Sequence, residues 1–170
     1  MTTLTSTMIS HDDPVFKAIC GWPFADPFVA RILKEDIPQR AQFGDVRIWA
    51  YRDSDRNLVG FGTLDISTDY GEFTGGRPHP YIPILAKNPT ANVQGVGIQI
   101  VNHLVAEAGL LVLSGRCHDD LYLDVYLTSE AAIHTYRKCG FLEVTEQRLD
   151  PRENDRPYLI MAKKVSVAAR

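Results

Sequence analysis

The chain has few of the features that would set it apart from an ordinary soluble domain. Cysteine is scarce: Cys20, Cys117 and Cys139 are odd in number and widely spaced. They match neither a disulfide framework nor a metal motif, and they suggest a reducing, cytoplasmic setting. Basic residues are not in excess, and at a net charge of −3 there is no electrostatic case for nucleic acid or an anionic membrane as the main partner. Blocks of like charge, low-complexity segments and internal repeats are missing, which removes the usual signs of an interaction tail or a repeat array. No run approaches the ~20 apolar residues of a membrane span, and Met1 to Met8 carry neither the basic flank nor the apolar core of a signal peptide. What remains is a 170-residue chain, 45% hydrophobic and 23% charged. That is enough for one domain with a full core, read here as a single unit over residues 1–170, its first ten residues frayed or an edge strand.

Local signals divide the chain into elements. Asp13-Pro14 and Asp26-Pro27 each place a capping residue before a proline suited to a first helical turn. After Asp26, the spacing of Phe28, Val29, Ile32 and Leu33 predicts a short amphipathic helix to about Glu35. The runs Val46–Tyr51 and Leu58–Leu64 flank the polar turn 53–57 and read as an antiparallel hairpin. A long loop, Ser67 to Pro80, follows; loops of that length in a compact domain are often functional. The run Tyr81 to Ala86 is strand-like, and a helix starts at about Gln94 with Ile98, Val101, Leu104, Val105 and Leu111 on one face. Leu121 to Leu127 alternates as a strand. Thr128 or Ser129 caps a helix through Tyr136 to Lys138 that Gly140 stops. Residues 141–145 and 158–163 form a closing strand pair. The order implies an α+β fold, with mixed α/β layers and helices packed on a mostly antiparallel sheet.

The chemistry concentrates between Pro80 and Ala106. A strand there passes through Asn88-Pro89 and Gly95-Val96-Gly97 into a helix N-terminus. Its first amides lack intrahelical partners, so the turn forms an anion cradle. Two familiar phosphate motifs fail here. Gly97 is followed by Ile98 and Gln99 rather than Lys-Ser/Thr, and Ile100 stands where a dinucleotide fingerprint has its third glycine.

From about Val46 to Lys163 the chain resembles the GNAT superfamily of acyl-CoA-dependent N-acetyltransferases. The acyl-CoA motif of that family aligns as Asn88-Pro89 followed by Asn92-Val93-Gln94-Gly95-Val96-Gly97. A second family motif aligns as Ser129-Glu130-Ala131-Ala132-Ile133-His134-Thr135-Tyr136-Arg137-Lys138-Cys139-Gly140-Phe141, with its alanine, tyrosine and Gly-Phe in register. The chain departs from the pattern at Asn92 (usually Gln or Arg), at Ser129 (usually Asn) and at Lys87 (often Val). The resemblance implies a splayed strand pair in the sheet and helices on both of its faces.

It also implies acetyl-CoA as cosubstrate, its pyrophosphate held by Asn92, Val93, Gln94, Gly95, Val96, Gly97 and Ile98. The pantetheine would lie along Leu85, Ala86 and Lys87 near Ser129 and Ala132, an amide near Leu85 acting as oxyanion donor. By resemblance, Tyr136 protonates the departing thiolate in a direct transfer from a ternary complex. The general base stays open among Glu72, His79, Tyr81, Asp69 and a water relay. Tyr70 is read as lining a pocket or packing the loop, His134 as exposed and Cys139 as core. Adjacent residues His118, Asp119 and Asp120 rarely converge on one ion, so no metal is expected. The acceptor is expected to be a small-molecule or protein amine. Asp65, Asp69 and Glu72, offset only by Arg77, tilt it toward a cationic amine such as a polyamine, an aminoglycoside or a protein N-terminus. A homodimer is left open. The alternatives are a module that binds acyl-CoA without turnover, or transfer with another acyl donor or an alcohol acceptor.

Overall fold

Helix starts encoded directly in the sequence organise the N-terminal part of the chain. In the computed structural model, which describes residues 3–44 and 46–165, two aspartates cap the first two helices. Asp13 at the head of α1 (Pro14–Cys20) accepts the Val15 amide at 2.7 Å, and Asp26 at the head of α2 (Pro27–Arg31) accepts the Phe28 amide at 3.0 Å. Each proline sits where its missing N–H would have no helical partner. The helix expected to end near Glu35 continues instead. It passes through a π-helical turn, Ile32–Asp36, into α3 (Ile37–Phe43), so Pro38 falls in the first turn of a new segment. Such turns absorb a residue that cannot continue the regular ladder, and they are frequent at functional sites.

Strand β1 (Thr5–Ile9) is an edge strand on β2 (Arg47–Arg52), and β2 forms the expected hairpin with β3 (Leu58–Ser67). The long loop after Ser67 contains a one-turn helix, α4 (Gly71–Thr74), and returns as β4 (His79–Tyr81). The sequence suggests one continuous strand from Tyr81; the structure has two. β4 lies between β3 and β6 (Asp120–Tyr126), whereas β5 (Leu85–Lys87) pairs with β3 alone. Pro83 supplies no amide to a ladder at the break. Buried Thr63 holds the bulge, its hydroxyl donating to the Ile84 carbonyl at 2.7 Å and accepting the Ile84 amide at 3.0 Å. β5 and β6 therefore diverge, and a gap opens between them.

Helix α5 (Val96–Leu113) crosses β3 at close range because Gly60 and Gly62 face it. A Cβ on either would stand 2.7 or 2.9 Å from Ile100. By length and composition alone α5 could span a membrane. It serves instead as a core helix, burying Val96, Ile100, Val101, Leu104, Ala108 and Leu111. Helix α6 (Glu130–Lys138) ends at Gly140 with φ +86°, and the Phe141 amide returns to the Tyr136 carbonyl at 3.0 Å. The C-terminal part holds more strand than a closing pair: β7 (Leu142–Glu143), β8 (Arg148–Asp150) and the long β9 (Arg156–Lys164). β9 pairs with β6 along its length and also carries β7 and β8.

The sheet runs β1-β2-β3-β4-β6-β9-β7, antiparallel except where Tyr81 meets Tyr122 between β4 and β6. Helices cover both faces. Trp49, Leu64, Leu121 and Leu123 pack against α5 and α6. On the other side Ile48, Ala50, Phe61 and Ile84 pack against the helical segments from α1 to α3.

Candidate active site

The gap between β5 and β6 opens into a cavity of about 160 Å³ that reaches from one face of the sheet to the other. Leu85, Ser129, Ala132 and Tyr136 line it on the α6 side, with Tyr81 and Asp124 at its depth. Four of the expected cofactor and catalytic residues and one base candidate thus converge on a single cavity. Ser129 occupies the N-cap position of α6, yet its side chain makes no capping bond. The amides of Ala132 and Ile133 go to its carbonyl instead, at 3.0 and 3.1 Å, which leaves the hydroxyl to the cavity.

On the β5 side, the Ile84 carbonyl accepts from Thr63 and the Asn88 amide donates to Val59 at 2.8 Å, both across to β3. Alternation along an antiparallel strand then turns the Leu85 and Lys87 amides the other way, into the gap. Ala86 packs partly against the core below, and the Lys87 side chain is exposed.

The Gly-rich turn opens α5, and none of its residues lines the cavity. Gly95 holds φ +72°, a left-handed conformation that points successive amides toward one spot. Gly97 faces Thr135 of α6, 3.6 Å from where its Cβ would stand, which is ordinary contact distance. Val96 is buried and Ile98 packs partly into the core, while Gln94 and Asn92 are exposed. Asn92 and Val93 lie away from the main cavity, lining a shallow depression with Asp53, Asn57 and Asn88. These features are compatible with an acyl-CoA: a helix N-terminus whose first amides can hold an anion, and a strand edge whose Leu85 and Lys87 amides face the gap.

Sequence reasoning did not single out Asp124. It lies on β6 between Leu123 and Val125, which face the α5 side, so its carboxylate points to the other side of the sheet. The Tyr81 hydroxyl donates to it in a short hydrogen bond, and the Tyr70 hydroxyl also acts on it. Burial holds the Asp124 carboxyl above the usual aspartate range, against the lowering effect of these donors. Burial, then the Asp124 charge, raises the phenols of Tyr81 and Tyr136. Tyr136 is therefore a protonated donor at any physiological pH. The Arg40 guanidinium stands 5.4 Å from the Tyr81 ring and is held by buried Asp65 at 2.7 Å.

The remaining base candidates lie elsewhere. Glu72 is exposed and bound to Arg148 at 2.8 Å, which lowers its pKa. His79 is buried between Tyr70 and Tyr122, its ring nitrogens without a hydrogen-bond partner among the described residues, and burial lowers its pKa. Neither lines the cavity. Asp69 is exposed and 3.9 Å from Arg40. His134 is exposed and Cys139 buried, as expected. His118, Asp119 and Asp120 do cluster, but Asp119 is engaged by Lys164 at 3.0 Å and the His118 Nδ1 accepts the Asp120 amide.

Comparison with known proteins agrees with this geometry. No curated protein sequence matches the chain. Among solved structures, spermidine N-acetyltransferase from Vibrio cholerae, in complex with CoA and spermine, is similar over 95% of both chains, with 17% identity and a TM-score of 0.66. The ribosomal-protein-S18-alanine N-acetyltransferase from Escherichia coli is similar over 99% of this chain and 97% of its own, with 20% identity and a TM-score of 0.61. The NatC complex bound to Gag peptide and CoA covers 96% and 99%, with 14% identity and a TM-score of 0.67. At such identities these structures share the fold. The sequence itself matches the acetyltransferase (GNAT) family over residues 15–141, and the chain belongs to that family of enzymes, with acetyl-CoA as cosubstrate.

Proposed function

We propose that this protein transfers an acetyl group from acetyl-CoA directly to a primary amine, with Asp124 as base and Tyr136 as acid. One observation carries the reading: the two side chains reach a single cavity from opposite faces of the sheet, beside the gap-facing edge of β5. The amides of Gln94 to Ile98 would hold the pyrophosphate, as a helix N-terminus does. Leu85 would offer its amide to the thioester carbonyl oxygen, where negative charge develops.

An alkylammonium has a pKa of about 10 and must lose a proton before it can attack. Asp124 is the acceptor for that proton, directly or through one water, and burial makes it a stronger base than an exposed aspartate. Tyr81 orients the carboxylate. Tyr136 donates to the leaving sulfur, and burial in a dry site keeps its proton in place until then. The acceptor enters from the side of α2 and the π-turn, opposite the α5–α6 side.

The test is free-thiol release from acetyl-CoA with a panel of amines. Tyr136→Phe is expected to lower kcat about 100-fold, with the acetyl-CoA Kd within about twofold of wild type. An unchanged rate across pH would remove Tyr136 from the chemistry. Binding without turnover on any amine, together with a silent Tyr136→Phe, would mark a non-catalytic acyl-CoA-binding module.

A further inference from the structure

We infer that the acceptor is a singly charged primary amine with an aromatic or branched apolar group close to its nitrogen, and that polyamines are poor substrates. This rests on the acetyl-transfer reading above. Four carboxylates line the cavity, Asp26, Asp36, Asp124 and Asp150. Two of them are matched by guanidinium groups, Asp26 by Arg156 at 2.8 Å and Asp150 by Arg152 at 3.2 Å, and Asp36 lies 3.9 Å from Arg31, which it shares with Glu153. Asp124 alone has no guanidinium within ion-pair distance among the described residues; the groups bonded to it are phenols. Arg40, the cation nearest that end, is held by Asp65. At its deep end, where the reacting nitrogen must sit, the cavity thus holds a carboxylate whose bonded partners are phenols alone.

The rest of the acceptor side is apolar. α2 and the π-turn contribute Phe28, Val29 and Ile32, and the Phe28 ring meets Tyr126 edge-on at 4.8 Å. A second ammonium, several methylenes from the first, would meet aliphatic and aromatic surface or carboxylates that already have partners. It would lose most of its hydration to apolar surface and to carboxylates already in ion pairs. The volume of about 160 Å³ suits a compact side group. Of the acids that lend the 67–80 loop and its approach a cationic preference in the sequence, two are held in close ion pairs. Asp65 is bound by Arg40 at 2.7 Å and Glu72 by Arg148 at 2.8 Å, while exposed Asp69 lies 3.9 Å from the same Arg40. An arylalkylamine and a polypeptide N-terminus with an apolar first residue share the required chemistry.

The experiment uses the full chain with acetyl-CoA and four acceptors: 2-phenylethylamine, spermidine, a peptide beginning with Phe and a peptide beginning with Asp. Thiol release is read first, and calorimetric binding of each amine to the CoA complex is read independently. Either 2-phenylethylamine or the Phe peptide, whichever is the better source, is expected to exceed spermidine at least about tenfold in kcat/KM and in affinity. Val29→Asp adds a second unmatched carboxylate and should shift the spermidine to 2-phenylethylamine ratio about tenfold toward spermidine. If that variant does not fold, Phe28→Ala should cost the aromatic acceptor about tenfold and leave spermidine unchanged. A wild-type preference for spermidine, or ratios that neither variant moves, overturns the inference while leaving acetyl transfer intact. Tighter binding of the aromatic amine with no turnover on any acceptor overturns acetyl transfer and supports the pocket assignment. Failure of the aromatic acceptors in both readouts overturns the inference.

Discussion

On the proposed mechanism, a single side chain, Asp124, is at once costly to the fold and the base of the reaction. Burial raises its carboxyl above the ordinary aspartate value, so the folded state holds that proton more tightly than the unfolded chain does. The stability this confers is present at acid pH and is lost as pH rises through the raised pKa. Above that raised pKa the buried carboxylate is a burden on the fold, which function can tolerate. Asp124→Asn should abolish the rise of kcat/KM with pH that reports ionisation of the base. Its Tm relative to wild type should increase from acid to neutral pH, as seen in thermal melts at each pH. A variant less stable than wild type at every pH, with its pH–rate profile intact, would assign Asp124 a structural role only. The sequence did not disclose this residue, because one polar position in the alternating run Leu121 to Leu127 reads as the solvated face of an ordinary strand. Tyr136 was legible because it lies in register with a recognisable motif, down to the Gly140-Phe141 that follows.

At the scale of elements, local signals were read correctly and non-local ones were not. The Asp13 and Asp26 caps, the hairpin across residues 53–57 and the Gly140 stop each depend on a few neighbouring residues. The division of the central strand into β4 and β5 depends on Thr63 meeting Ile84, a partner 21 positions away that no local pattern reveals. The helix that runs on past Glu35 is another such case, since the π-turn that admits Pro38 lies against a core built from distant strands. Thr63→Val keeps the shape and removes the hydroxyl, leaving the Ile84 amide without its partner. Leaving a buried donor unpaired costs about 1–3 kcal/mol, which should show as a lower urea midpoint at unchanged m. Because the same bulge holds β5 away from β6, kcat should fall by more than the change in stability accounts for at a temperature where the variant is fully folded. A variant that loses stability with kcat intact would show that Pro83 alone keeps the gap open.

For the molecule as a whole, the proposed function divides two kinds of binding across the sheet. In it, the donor approaches along α5, α6 and the gap-facing edge of β5, and the acceptor side is closed by ion pairs joining α2 to the turn between β8 and β9. Arg156 holds Asp26 at 2.8 Å, donates to the Thr128 hydroxyl at 2.7 Å and lies 4.0 Å from the centre of the Tyr126 ring, while Arg31 holds Glu153. The two halves share only the gap, so substitutions on each side should affect different constants. Gly95→Glu places a bulky anion in the cradle on a backbone with φ +72°. It should weaken acetyl-CoA binding at least about 100-fold, whereas Gly95→Ala, facing only a left-handed backbone cost of about 1–2 kcal/mol, should weaken it much less. Arg156→Ala should leave the acetyl-CoA Kd unchanged and raise the KM of an aromatic amine several-fold, because Asp26 then becomes a second unmatched charge beside Phe28. Calorimetry with acetyl-CoA and initial rates across amine concentration measure the two effects separately. If Arg156→Ala also weakened acetyl-CoA binding, the gap would couple the two sides and the sheet would not divide donor from acceptor.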